Sequence, residues 1–193
     1  MGIERPFQDV KLFSGIIYRS ESAFQSVKKQ LESFYSPVDM ETPALDFDFT
    51  PYYNKEMGTP LFRRFISFET LINPELLPDI KLLTNQLEIE TAINGKRTIN
   101  LDPGFLSDAN VIIATTKNYY HRVPLTKGIY AHMEYVIIGK NLKILEWTYP
   151  DFQSELYMNY FRELLVLYKK NIKDRKIKEA NGKRKRNTKE EIQ

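Results

Sequence analysis

Cysteine is absent from this 193-residue chain. That inventory removes disulfides, thiolate-bound zinc, iron–sulfur clusters and thiol nucleophiles, and it makes a reducing, cytoplasmic compartment the natural expectation. Histidine occurs only twice, at His121 and His132, so a histidine-rich transition-metal site is poorly supplied. No apolar run approaches the roughly 18 residues that a membrane span requires. The opening MGIERPFQDVKLF carries charges and a proline where a secretory signal needs an apolar stretch, and Pro6 replaces the Ser/Thr of a myristoylation signal. No membrane contact is expected. G-x-x-x-x-G-K-[ST], G-x-G-x-x-G, G-x-S-x-G and H-E-x-x-H are all missing, which argues against a P-loop NTPase, a dinucleotide fold, a serine hydrolase of the nucleophile-elbow type and a zincin.

What is present describes an ordinary globular chain: 42% hydrophobic, 27% charged, and rich in Tyr and Phe, twelve of each. The length suits one domain. The formal charge of +3 is unevenly spread. Residues 173–193, KDRKIKEANGKRKRNTKEEIQ, hold nine Lys/Arg against four Asp/Glu, which leaves residues 1–172 net negative. So polar a segment cannot bury enough surface to offset its ordering entropy, and the expectation is a globular domain over 1–172 followed by a disordered or fraying basic tail. Its Lys183–Arg186 run is suited to RNA or another polyanion through counterion release, although such runs also serve simply to solubilise.

Periodicity organises the rest. VKLFSGIIY, Val10 to Tyr18, reads as a buried strand, and Phe24, Val27, Leu31 and Phe34 mark an amphipathic helix over Glu21 to Phe34 with Ser20 as its cap. Met40 to Phe49 reads as extended with a bend at Pro43, and Leu61 to Phe68 as another strand. Asn73-Pro74 opens a helix running to about Ile93. Asp102-Pro103-Gly104 is a turn signal, Val111 to Thr116 a β-branched strand, and Ile129–Ile138 with Leu142–Trp147 a hairpin about Gly139-Lys140-Asn141. A final helix begins at Gln153. Strands interleaved with three helices predict a single α+β domain with a mixed, mainly antiparallel sheet.

Three polar clusters are candidates for chemistry. Alternation in DFDFTPYYNKEMG places Asp46 and Asp48 on one face, roughly 7 Å apart, a spacing that suits a divalent cation such as Mg²⁺ with Glu56 as a third ligand. The bland alternative is two carboxylates facing water. In RTINLDPGFLSDANVIIATTKNYYHR, residues 97–122, Asn100 and Asp102 precede a strand while Thr116, Lys117, His121 and Arg122 follow it. If these groups meet, Lys117 and Arg122 bind an anion while His121 or Asp102 moves a proton; otherwise they form structural ion pairs. Of Arg63 and Arg64, alternation turns one inward, where it requires an acid such as Asp48 or Asp102. The lone Trp147, in EWTYPDF, reads as an anchor for the last helix.

The ordered set F-D-F-T-P-Y-Y-x-x-E-M-G, R-R-F-I-S-F-E, G-K-R-x-I-N-L-D-P-G, A-T-T-K, H-R, G-I-Y and W-T-Y-P-D-F resembles the prokaryotic family catalogued as domain of unknown function 4416, over about Val10 to Tyr168. The resemblance implies no defined activity. Some members are labelled GTP-binding protein, yet this chain has neither a P-loop nor an N-K-x-D motif. It does imply that Asp46, Asp48, Thr50, Tyr53, Glu56, Arg64, Asn100, Asp102, Gly104, Thr115, Thr116, Lys117, His121, Arg122 and Tyr149 fall on the family's polar motif positions. The leading expectation is a cleft for a small phosphorylated or nucleotide-like anion, with His121 and Asp102 in proton transfer, Arg64, Asn100, Thr116, Lys117, Arg122 and Tyr53 on the ligand, and Asp46, Asp48 and Glu56 on a cation. The rival expectation is a non-catalytic interaction module whose tail contacts RNA.

Overall fold

The computed structural model describes residues 2–190; of the side chains of 179 and of 182–190, the Lys183–Arg186 run among them, nothing is described. The polyanion contact expected of that run therefore lies outside the described residues. Strand β1 (Val10–Tyr18) is buried along its whole length because it is the middle of the sheet and covered on both faces. It is followed by α1 (Glu21–Phe34), β2 (Val38–Glu41), β3 (Leu45–Asp46), the single turn α2 (Asn54–Met57), β4 (Phe62–Ile72) and α3 (Leu77–Glu90). Then come β5 (Ile99–Leu106), β6 (Asn110–Thr115), β7 (Val123–Pro124), β8 (Tyr130–Ile138), β9 (Asn141–Ile144) and α4 (Glu155–Glu190). The nine strands among the described residues form one antiparallel sheet in the order β2-β4-β1-β5-β6-β8-β7, with β3 on β4 and β9 on β8. The fold is α+β.

Each face of the sheet carries its own core. Phe24, Val27 and Leu31 of α1 and Ile80 and Leu87 of α3 cover Leu12, Ile16, Ile66 and Leu101 on one face. On the other, Tyr157, Phe161, Leu164 and Tyr168 of α4 cover Phe13, Phe65 and Val111. Fully burying each such side chain is worth about 1.5–3 kcal/mol, so the two faces, not helix propensity, hold α1 and α4 in place. Among the described residues no helix is long and apolar enough to cross a membrane.

Two local expectations change. Asp102-Pro103-Gly104 lies inside β5, and the chain reverses at Ser107–Asn110 instead, where Ser107 Oγ bonds the Asn110 side chain at 2.8 Å. Met40 to Phe49 is not extended throughout: strand pairing ends at Glu41, resumes at Leu45 and stops at Asp46, which leaves Phe49 exposed.

Candidate functional site: a cleft where the sheet divides

Strands β5 and β6 pair only from Gly104–Leu106 to Val111–Ile113. The break has a cause in the backbone. Leu101 turns its N–H and C=O away from β1, toward α3, and alternation turns those of Pro103 the same way. Pro103 has no N–H, so the next ladder bond toward β6 is unavailable and the strands separate there. Gly104 sits at the fork: a Cβ on it would lie 2.3 Å from the Ile112 carbonyl oxygen and 2.7 Å from the Phe13 ring, so only glycine allows the strands to meet.

Helix α3 closes one side of the fork with side chains. Lys81 Nζ donates to the Leu101 carbonyl at 2.7 Å, and Glu88 Oε1 accepts from the Leu101 N–H at 2.7 Å, so the two replace a missing strand. What remains open is a cavity of about 520 Å³. Asn100 and Asp102 form its floor, Ala114 to Lys117 one wall, Phe47, Phe49, Thr50, Tyr52 and Tyr53 one lip, and Tyr149 to Phe152 the other.

Arg63 fixes the floor. Its side chain is 4% exposed; Nη2 donates to Asp102 at 2.9 Å and Nη1 to Asp151 at 3.0 Å, with the guanidinium 4.9 Å from the Phe47 ring. Alternation along β4 thus sends Arg63 to this face, and it finds the acid partners that a buried cation requires. Burial pushes the Asp151 carboxyl above its ordinary range, and Arg63 opposes the rise. Asp102 is more open, at 22% exposed against 9% for Asp151.

Arg97 ties the lip to the helix. Its Nε and Nη2 donate to the two oxygens of Glu56 at 2.9 and 2.8 Å, and Nη1 donates to Glu88 at 3.1 Å and to Asn100 Oδ1 at 2.9 Å. The bidentate bond holds Glu56 below the usual carboxylate range, whereas burial raises Glu88. Lys117 is different. Its Nζ stands 4.4 Å above the Tyr52 ring and has no acidic partner among the described residues.

Of the residues given site roles from sequence, Tyr53, Asn100, Asp102, Thr116 and Lys117 line this cavity, as do the motif residues Thr50, Thr115 and Tyr149. The other residues given site roles do not. Arg64 lies on the opposite face of the sheet, 4.6 Å from the Phe24 ring and bound to Glu41 and Glu21, because its neighbour Arg63 takes the inward direction. Asp46 and Asp48 are exposed and Glu56 is committed to Arg97, so these three form no metal cluster; none of three or more His, Asp or Glu occurs among the described residues. His121 and Arg122 are not among the residues that line the cavity: β7 carries the chain back onto β8, where Arg122 bonds the Tyr149 hydroxyl.

There they meet a second buried network. His121 Nε2 lies 3.0 Å from His132 Nδ1, and Arg122 Nε donates to the same nitrogen at 3.2 Å, which places the His132 proton on Nε2. That nitrogen is 3.2 Å from Glu134 Oε1, close but not aligned for a hydrogen bond. Glu134 Oε2 accepts from the Tyr149 N–H at 3.0 Å, and the Tyr149 hydroxyl accepts from Arg122 Nη2 at 2.7 Å. Burial, reinforced by Arg122, lowers His132 to about 4, and burial holds the Glu134 carboxyl far above its ordinary value. The Tyr149 ring lies on His132, centroids 4.6 Å apart, so it separates this network from the cleft.

Sequence reading missed Lys81, Glu88, Asp151, His132 and Glu134. Lys81 and Glu88 stand seven residues apart, two turns along one face of α3, and that spacing, beside the apolar Ile80 and Leu87, was the available signal. An antiparallel α+β sheet opened into a polar cleft by an internal proline thus defines the architecture. The chain belongs to the family described as Domain of unknown function (DUF4416), whose model matches residues 8–168. No curated protein and no solved structure matches it.

Proposed function

We propose that the divided-sheet cleft binds a small phosphorylated or nucleotide-like ligand in the cytoplasm. The observation that carries this reading is Lys117: a cation without an acidic partner among the described residues, poised over an aromatic ring at the mouth of a cavity whose other cations are already paired or bonded. A volume of about 520 Å³ falls within the roughly 300–1,000 Å³ of small-molecule sites. An anionic group rests on Lys117 and Thr116, a planar ring lies against Tyr52 and Phe49, and hydroxyl or amino hydrogens reach Asp102, the most open carboxylate of the floor. The cysteine-free composition supports the compartment.

Thermal unfolding of the full chain with nucleoside monophosphates, sugar phosphates and inorganic phosphate, with and without Mg²⁺, tests this reading. A ligand at 100 times its Kd stabilises by about 2.7 kcal/mol, an easily measured rise in midpoint. The parent protein is expected to respond and Lys117→Ala to lose most of the response. No response from the parent to any phosphorylated compound overturns the reading.

A further inference from the structure

Outside the cleft, loop 117–122 carries features that a ligand confined to the cavity leaves unused. Tyr119 and Tyr120 are 57% and 76% exposed, with their rings 4.9 Å apart and packed chiefly on each other and on His121. His121 in turn lies flat on Trp147, centroids 5.0 Å apart and planes within 5°. Arg122 donates to a histidine nitrogen, a carbonyl and a phenol, all uncharged, so its charge, like that of Lys117, has no acidic counterpart among the described residues. The Arg122-to-Lys117 carbonyl bond of 2.8 Å holds the two cationic residues on one tight loop at the cleft mouth, opposite Tyr52, which is 59% exposed. Exposed rings interleaved with unneutralised cations match a strand of phosphodiesters with free base faces.

Resting on the cleft reading above, we propose that the ligand is the end of a single-stranded nucleic acid: the terminal nucleotide enters the cavity, and the next one or two bases stack on Tyr119 and Tyr120 while their phosphates lie near Lys117 and Arg122. Single strands are required because a duplex hides its base faces inside the stack. Loop 117–122 is proposed to act without any contribution from residues 173–193.

The test compares a mixed-sequence RNA pentanucleotide with a nucleoside monophosphate on the full-length protein, by calorimetry or competition anisotropy. The pentanucleotide is expected to bind at least about tenfold tighter, and Tyr119→Ala with Tyr120→Ala to lower its affinity about 10–100-fold while leaving the monophosphate unchanged. With two phosphates neutralised, log K should fall against log salt with a slope of about −1.4. Equal affinity for both ligands, indifference to the tyrosine substitutions, or equal competition by a blunt-ended RNA duplex overturns the inference and leaves the cleft reading standing. So does RNA binding that disappears only when Lys183, Arg184, Lys185 and Arg186 are replaced by Gln. Failure of both ligands to bind overturns the cleft reading itself.

Discussion

Lys81 and Glu88 lie two helical turns apart on α3, yet both bond the main chain of one residue, Leu101, each at 2.7 Å. The pair completes a strand edge that β6 abandons at Pro103, and so keeps the cleft open without leaving a buried amide unsatisfied. Replacing Glu88 by Ala strips the Leu101 N–H of its acceptor and Arg97 of one partner. A loss of about 2–4 kcal/mol in denaturant unfolding is expected, against under about 1 kcal/mol for Glu90→Ala on the exposed face.

Arg63 bonds two carboxylates, Asp102 on the cavity floor and Asp151 on its lip. Arg63→Met should cost about 3–5 kcal/mol, because it leaves Asp102 and Asp151 facing each other with no cation between them. Adding Asp151→Asn to that variant should recover part of the loss, since one of the stranded charges goes with it. A double-mutant cycle by chemical unfolding measures the recovery.

His132 sets a pH dependence whose sign follows from its lowered value of about 4, against about 6.5 in the unfolded chain. Between those values the unfolded chain binds the proton more readily. The stability His132 contributes is therefore complete above about pH 6.5 and is lost as pH falls toward 4, by at most about 1.4 kcal/mol per pH unit. The raised carboxyl of Glu134 acts in the opposite sense, losing its contribution as pH rises. His132→Gln should flatten the unfolding free energy between pH 6.5 and 4 relative to the parent. An unchanged slope contradicts the assignment.

Much of the fold was legible because period and burial agree. The apolar-rich stretch of β1, the three-and-four spacing of α1 and the Gly139 hairpin each report a local preference that the tertiary structure reinforces. Pro103 was not legible: Asp-Pro-Gly is ordinary turn chemistry, and only the direction of its missing N–H, away from β1, makes it tolerable inside a strand. The candidate site divides in the same way. Asp102 and Lys117 gather because they flank one fork between neighbouring strands, whereas His121 is carried off by a β7–β8 pairing that no spacing in the sequence announces.

Asp102 is the floor's accessible carboxylate, so its substitution separates the two ends of a bound ligand. Asp102→Asn should weaken a nucleoside monophosphate about tenfold or more while leaving inorganic phosphate unaffected; Lys117→Ala should weaken both. Titration calorimetry of the two ligands against the two variants gives the comparison.

The central claim is a place, and amide chemical shifts report places. On ¹⁵N-labelled protein titrated with a nucleoside monophosphate, saturable shifts should concentrate at residues 100–102, 114–117 and 49–53, and Lys117→Ala should weaken them. Saturable shifts confined to other surfaces, or none at millimolar ligand, would contradict the account.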